Sequence, residues 1–345
     1  MTGPQTKRAG VLSAGTLLVD YGKVIDTYPS RDGLAMIERI STSTGGAALN
    51  LAMDLGLLGA AFDVGLMGCV ADDEDGAYIL EACASVGIDT TQVQVQPGAT
   101  TAFTDVMVER AGGRRTFFTH LGTNALFQAG PSDIETSSAR ILHVGNVGFH
   151  PLMEQPDADG GSGWAALLEA ARASGMRTNM ELPSLAPHRL EVLAGPCLPH
   201  LDTIIVNELE ASALTGADIS APSVDDPVDW AAMDALAHGL IERGVSSLAV
   251  VHFPAGSVAA APGGRAWRQG SVLLERDQVR STTGAGDAFA AGVILGLHDG
   301  WSVDTSLRLG AAAAAACVRD PHTSKGITTA AACLASAEQA GYRTT

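Results

Sequence analysis

The sequence predicts an α/β protein built on a mostly parallel central sheet flanked by helices. Apolar strand-like runs alternate with helical stretches from end to end, the pattern of a parallel sheet whose crossovers are helices. The 345 residues suffice for one large domain or a domain with an appended subdomain, and we read 1–345 as a single unit. Two segments, Lys23–Thr42 and Thr101–Thr119, break the alternation with hairpin-like strands of alternating and β-branched side chains.

In chain order, Val11–Val19 reads as a buried strand that delivers Asp20 at its C-terminal end. The first inserted segment follows, and Gly45-Gly46 then opens an apolar helix over Ala47–Leu58. Phe62–Met67 is the next strand and Asp75–Val86 the next helix, ahead of the second inserted segment. Strands Arg140–Val144 and Arg177–Glu181 bracket helix Trp164–Ala173, and His150–Gly163, rich in Pro, Asp and Gly, reads as a mobile surface loop. Strand Thr203–Val206 leads into helix Glu208–Leu214, and helix Pro227–Ile241 into strand Ser247–Val251. Helices Asp287–Leu297 and Val303–Val318 close the series, and no internal repeat is visible.

The chemistry concentrates in Ser281-Thr282-Thr283-Gly284-Ala285-Gly286-Asp287. Because an apolar helix follows, Gly284 to Asp287 stand at its N-terminus, where free N–H groups and the dipole bind anions and glycine lets a phosphate approach. A carboxylate there would repel phosphate unless it had a task such as taking a proton from an attacking hydroxyl. The alternative is an Asp cap after a Gly turn. A second cluster, Thr44-Gly45-Gly46-Ala47-Ala48-Leu49-Asn50, places Asn50 one turn after Gly46. Asp20, Gly46 and Asn50 would ring a polyhydroxylated ligand, since carboxylate and amide groups together accept and donate hydrogen bonds.

With Gly45-Gly46-x-x-x-Asn50 early, Asn207-Glu208-Leu209-Glu210 midway and Thr282-x-Gly284-Ala285-Gly286-Asp287 near the end, the chain resembles the ribokinase or PfkB carbohydrate kinases over nearly its whole length. The resemblance implies a ribokinase-like fold and ATP-dependent phosphorylation of a sugar, sugar-derivative or nucleoside hydroxyl. It implies Asp287 as base, with the Gly284, Ala285 and Gly286 amides as the anion hole. Asn207 and Glu210 would help hold magnesium and the nucleotide phosphates, largely through water, with Thr282 and Gly256 also on the nucleotide side. Asp20, Gly45, Gly46 and Asn50, together with Asn124, would face the sugar. The inserted segments, about 20–45 and 98–120, would form a small β-sheet lid and a homodimer contact, against the alternative of an ordinary edge extension. Two departures stand out. The family commonly has Asp where Ser281 stands, helping to bind an activating monovalent cation, so this sequence argues against potassium activation. Phe253 replaces the usual Gly of a nucleotide-binding turn, Phe253-Pro254-Ala255-Gly256.

Composition narrows the partners. The 21 basic and 38 acidic residues give a net charge of −17, against any general affinity for nucleic acid or anionic membranes. Hydrophobic residues make up 46% and no run approaches the roughly 20 apolar residues of a bilayer span. Met1–Gly10 lacks a secretory core, and we expect a cytoplasmic protein. Cys69, Cys83, Cys197, Cys317 and Cys333 are scattered, without metal-ligand spacing, and read as buried reduced thiols.

Other polar residues carry competing readings. Asn207 and Glu210 also fit a capping box, and Asp20 a strand-end turn. His120 and Asn124 read first as turn residues and second as substrate contacts. Arg114 and Arg115 read first as solvated charges at a turn, and second as partners of an anionic substrate. Asn179 and Glu181 end a strand where the family presents polar groups to sugar and phosphate, whereas Arg319 and Lys325 read as exposed. Phe103, Phe117 and Phe118 would supply an aromatic sandwich if the substrate were a nucleoside. The alternative function outside catalysis is a sugar sensor that keeps the fold without turnover.

Overall fold

The computed structural model describes residues 8–156, 158, 160–219, 227–321 and 324–345, and the polar leader at residues 1–7 lies outside them. Its strands are β1 Val11–Gly15, β2 Leu18–Ile25, β3 Ile37–Gly45, β4 Val64–Ala71, β5 Asp89–Gln96, β6 Phe103–Glu109, β7 Arg115–His120, β8 Ile141–Gly145, β9 Arg177–Glu181, β10 Thr203–Asn207, β11 Leu248–Phe253, β12 Gly256–Ala261 and β13 Arg265–Gly270. The helices are α1 Ala47–Leu57, α2 Glu74–Ser85, α3 Pro131–Glu135, α4 Gly163–Ala173, α5 Pro187–Ala194, α6 Glu208–Thr215, α7 Trp230–Glu242, α8 Ala285–His298, α9 Val303–Cys317 and α10 Ala330–Ala340.

Nine strands form one sheet in the order β13-β12-β11-β10-β9-β8-β1-β4-β5. It is parallel from β11 to β5, and β12 and β13 add an antiparallel edge. The central strands are apolar on both faces because both are covered. Ile204 and Val206 of β10 enter a core with Phe127, Trp164 and Leu236, while Ile205 enters the opposite core with Leu49, Phe289 and Leu307. In the second core α8 and α9 pack at Gly292 and Gly310, where a Cβ on Gly292 would come 2.8 Å from the Gly310 backbone. That approach admits no side chain, so the Ala-rich run of α9 serves close packing.

The inserted segments form a separate four-stranded sheet, β3-β2-β6-β7. Each is an antiparallel hairpin, and β2 pairs with β6 in parallel. One expectation needs correction. The strand read over Val11–Val19 is two strands: β1 ends at Gly15, whose φ of 136° and approach to the Gly145 carbonyl no side chain would tolerate. The chain turns there and enters the small sheet, so Asp20 belongs to a strand of that sheet rather than the end of a core strand. His150, read as part of a surface loop, is instead buried between Phe127 and Trp164. The five cysteines are free and buried. Among the described residues no helix is long and apolar enough to cross a membrane.

Candidate active site

Gly284 adopts φ 80° as the N-cap of α8, and Asp287 falls in its first turn. That turn leaves N–H groups without helical partners, pointing out of the helix start. Across the site, Gly46 caps α1 with φ 93° against the Thr16 carbonyl, which leaves no room for a side chain. One turn later Asn50 Nδ2 donates to Asp287 Oδ2 at 2.7 Å. The two glycine motifs, 237 positions apart, therefore meet through the two side chains given chemical roles. Asn50 Oδ1 is buried without a partner, and Asn50 occupies only one oxygen of Asp287. Burial holds the Asp287 carboxyl above its ordinary value, opposed by the Asn50 hydrogen bond.

Asp20 lies against Gly45, where a Cβ would collide with its carboxylate. Burial, and then the charge of Asp287, push its pKa up to about 7, while Arg115 pulls it down. The register of the small sheet adds residues that no local pattern revealed. Ser43, Asp20, Thr104 and Thr119 stand opposite one another across β3, β2, β6 and β7. They share one face of the sheet, and the Thr104 and Thr119 hydroxyls lie 3.0 Å apart. This row of hydroxyls and a carboxylate can both donate and accept hydrogen bonds. The aromatic residues divide between the faces: Phe117 shares the Asp20 face, whereas Phe103 and Phe118 share the other, where Phe103 stacks on His120 at 5.3 Å.

Carboxylates line the ends of the neighbouring core strands. Asn207 caps α6 and accepts from Glu210 N at 2.8 Å, while its Nδ2 and N donate to the Glu210 carboxylate at 2.7 and 3.0 Å. The capping box is thus present, and it stands at the carboxyl end of β10, the ligand-binding end of an open α/β sheet. Burial raises Glu210 to about 8, against the Asn207 backbone hydrogen bond, with Glu208 and Asp287 pushing the same way as burial. Glu181 ends β9 with Oε2 buried and unpartnered, 3.5 Å from His143 Nε2. Burial, then the charges of Asp287, Glu210 and Asp54, hold its carboxyl well above the usual range. His143 is driven down to about 3 by burial and stays neutral.

The profile of pfkB family carbohydrate kinases matches residues 15–330. The chain belongs to this family. Its relatives include the ATP-dependent ribose-1-phosphate kinase of Halopiger xanaduensis, 30% identical over 291 residues covering 82% of this chain and 83% of that protein. The 5-dehydro-2-deoxygluconokinase of Shouchella clausii is 24% identical over 337 residues, covering 94% of each. In structure, this pfkB-family chain is similar to Arabidopsis thaliana ribokinase complexed with ribose and ATP, with a TM-score of 0.78 at 21% identity, covering 96% of this chain and 99% of that one. The ribokinase-like fold expected from the motifs is therefore the fold of this protein.

Some residues assigned to the pfkB-type site from sequence have other work. Asn124 is fully buried and brackets the Leu17 backbone, with Oδ1 accepting from Leu17 N at 3.3 Å and Nδ2 donating to Leu17 O at 3.0 Å. Its amide splints the crossover into the small sheet rather than facing a substrate. Gly256 is buried against the Gln269 carbonyl and Trp230, so strand packing explains the glycine without a nucleotide. Phe253 packs edge-on against Trp230 at 5.5 Å. Asn179 Nδ2 lies 2.8 Å from His143 Nδ1, and its Oδ1 is buried without a partner. Thr282 is exposed at the mouth of the α8 turn, and Arg319 reaches Ser336. Arg114 pairs with Glu109 and is exposed, as read from the sequence. Arg115 differs from that reading: it is half-buried and donates to Ser281 Oγ at 2.7 Å.

Proposed function

We propose that the protein phosphorylates a hydroxyl of a small sugar or sugar derivative at the expense of ATP, with Asp287 as the general base. The observation that carries this reading is the 2.7 Å bond from Asn50 to Asp287. It fixes the carboxylate of the phosphate-binding turn against the substrate-side helix and leaves its second oxygen to take the hydroxyl proton. The amides of Gly284, Ala285 and Gly286 would stabilise the transferring phosphoryl group, and the lid would exclude water that competes as acceptor.

Glu210, braced by Asn207, and Glu181, with its unpartnered buried oxygen, suit a hydrated magnesium ion. Magnesium keeps several of its waters and is commonly held by one or two carboxylates with the phosphates, which suits a water-mediated hold by these two. Magnesium would neutralise the nucleotide phosphates. Asp287 takes and relays the proton, Asn50 orients it, and Asp20 with the row Ser43, Thr104 and Thr119 positions the sugar.

The split of Phe103 and Phe118 from Phe117 removes the aromatic sandwich that a nucleoside base would want and favours a sugar. The assay is ADP release from ATP with a panel of pentoses, hexoses, pentose 1-phosphates, keto-deoxy acids and nucleosides. Turnover with one sugar class at least tenfold above the nucleosides supports the reading. Turnover with nucleosides alone, or ATP binding with no turnover on any acceptor, overturns it. We place the protein in the cytoplasm, where its five buried free thiols would stay reduced. We further assign a homodimer through the lid, whose Ile40 and Phe118 are exposed on the face away from Asp20.

A further inference from the structure

Three arginines cluster at the β6–β7 hairpin, and they do different things. Arg110 pairs with Glu38 and Arg114 with Glu109, both within the lid. Arg115 reaches out of the lid, and its Nη2 donates at 2.7 Å to Ser281 Oγ, 166 positions away. Ser281 is itself buried. Its Oγ also accepts from Thr283 N at 3.2 Å, and its N donates to the Val318 carbonyl at 3.2 Å. One oxygen is therefore shared between the lid and the first bend of the turn that ends at Gly284, Ala285 and Gly286.

On the opposite face of the sheet, the Tyr21 hydroxyl donates to Asp75 of α2. The small sheet is thus pinned to the body both through β2 and through the start of β7. Arg115 also lies within electrostatic range of Asp20, so it brings positive charge to the edge of a site bounded by Asp20, Asp287, Glu181 and Glu210. A guanidinium suits this task because its planar fork is stiff and permanently charged.

We propose that Arg115 is a positioning residue that latches the lid to the phosphate-binding turn, through Ser281, so that the turn keeps its anion-binding shape only while the lid lies over the site. This rests on the reading of Ser281–Gly286 as part of a phosphoryl-transfer site. Because Ser281 is neutral, the lid's guanidinium meets a hydroxyl rather than a carboxylate, and the latch is weak enough to open. A charged pair buried there would be harder to break. Lid closure and assembly of the anion hole then become one event.

The test compares wild type with Arg115→Gln, Ser281→Ala and the double variant, first by hydrogen exchange on the ligand-free protein. Faster exchange is expected in both 103–120 and 281–286 for each single variant, with the double variant no faster than Arg115→Gln. Faster exchange confined to the hairpin, with 281–286 unchanged, overturns the latch. Ser281→Ala is a minimal change that keeps the test open if Arg115→Gln unfolds. In turnover, each single variant is expected to lose about tenfold in kcat with KM for ATP within twofold, and the double variant to lose no more than the worse single. Losses that multiply in the double variant overturn the coupling. If wild type turns over no acceptor yet the exchange pattern appears, the kinase reading fails and the latch stands.

Discussion

Replacing Asp20 by Asn isolates the cost of holding a carboxylate beside Asp287. Burial and the Asp287 charge raise the folded-state pKa of Asp20 from 3.8 to about 7. Between those values the folded protein holds a proton that the unfolded chain has released, so stability must fall as pH rises through this window. At about 1.4 kcal/mol per unit, the penalty is about 2 kcal/mol at pH 5.5 and about 4 kcal/mol at pH 8. Asn carries no such penalty. The stability of Asp20→Asn relative to wild type should therefore grow by about 2 kcal/mol from pH 5.5 to pH 8, or about 1 kcal/mol once partial exposure lets solvent screen the charge. Urea unfolding at the two pH values measures that growth, and any constant packing difference cancels. The same change should weaken sugar binding by about 1–3 kcal/mol with nucleotide affinity kept, because the hydroxyl loses its charged acceptor. Parallel stability curves for the two proteins would refute the electrostatic account of Asp20.

Asp287→Asn keeps the shape at Asn50 but removes the base, so kcat should fall about 10²- to 10⁴-fold with sugar affinity largely retained. Since burial raises this carboxyl too, the variant should melt no lower than wild type at pH 8, and near-normal kcat would sink the assignment. With Ser281 Oγ engaged by Arg115, activity should be the same within about twofold in potassium, sodium or a bulky organic cation at equal ionic strength; strong activation by potassium alone would disprove it. Ile40→Lys combined with Phe118→Lys should leave a species of one chain mass, 35.3 kDa, by light scattering where wild type shows twice that. A wild type already at the single-chain mass would rule out the lid dimer.

Most of the architecture could be read locally, because parallel-sheet strands and their crossover helices announce themselves in hydrophobic runs. Arg177–Glu181 is a strand with the bounds expected, and the Asn207 cap forms as the capping pattern requires. The misses have physical causes. β5, read as no element, is Thr- and Gln-rich at the sheet edge, and β12 is made largely of small residues. The division of Val11–Val19 turns on a positive φ at Gly15, hidden inside an apolar run. The row through Ser43, Asp20, Thr104 and Thr119 exists only in the register of four strands, and Arg115 meets Ser281, 166 positions away, only in the folded chain. Asn124 shows the opposite case: a polar residue beside a turn looked available, and burial gave its amide to the backbone.

The Asn50–Asp287 bond joins residues separated by 237 positions, which orders events during synthesis. The nascent chain displays β1, the small sheet and α1 long before the ribosome delivers α8, yet until then Asn50 has no Asp287 to hold. On the proposed assignment, a chain arrested between α1 and α8 would carry Asp20 and Asn50 but lack Asp287. If Asp287 is the base, translation past α8 would decide whether the product is active, and an early stop there would be as damaging as one near the start.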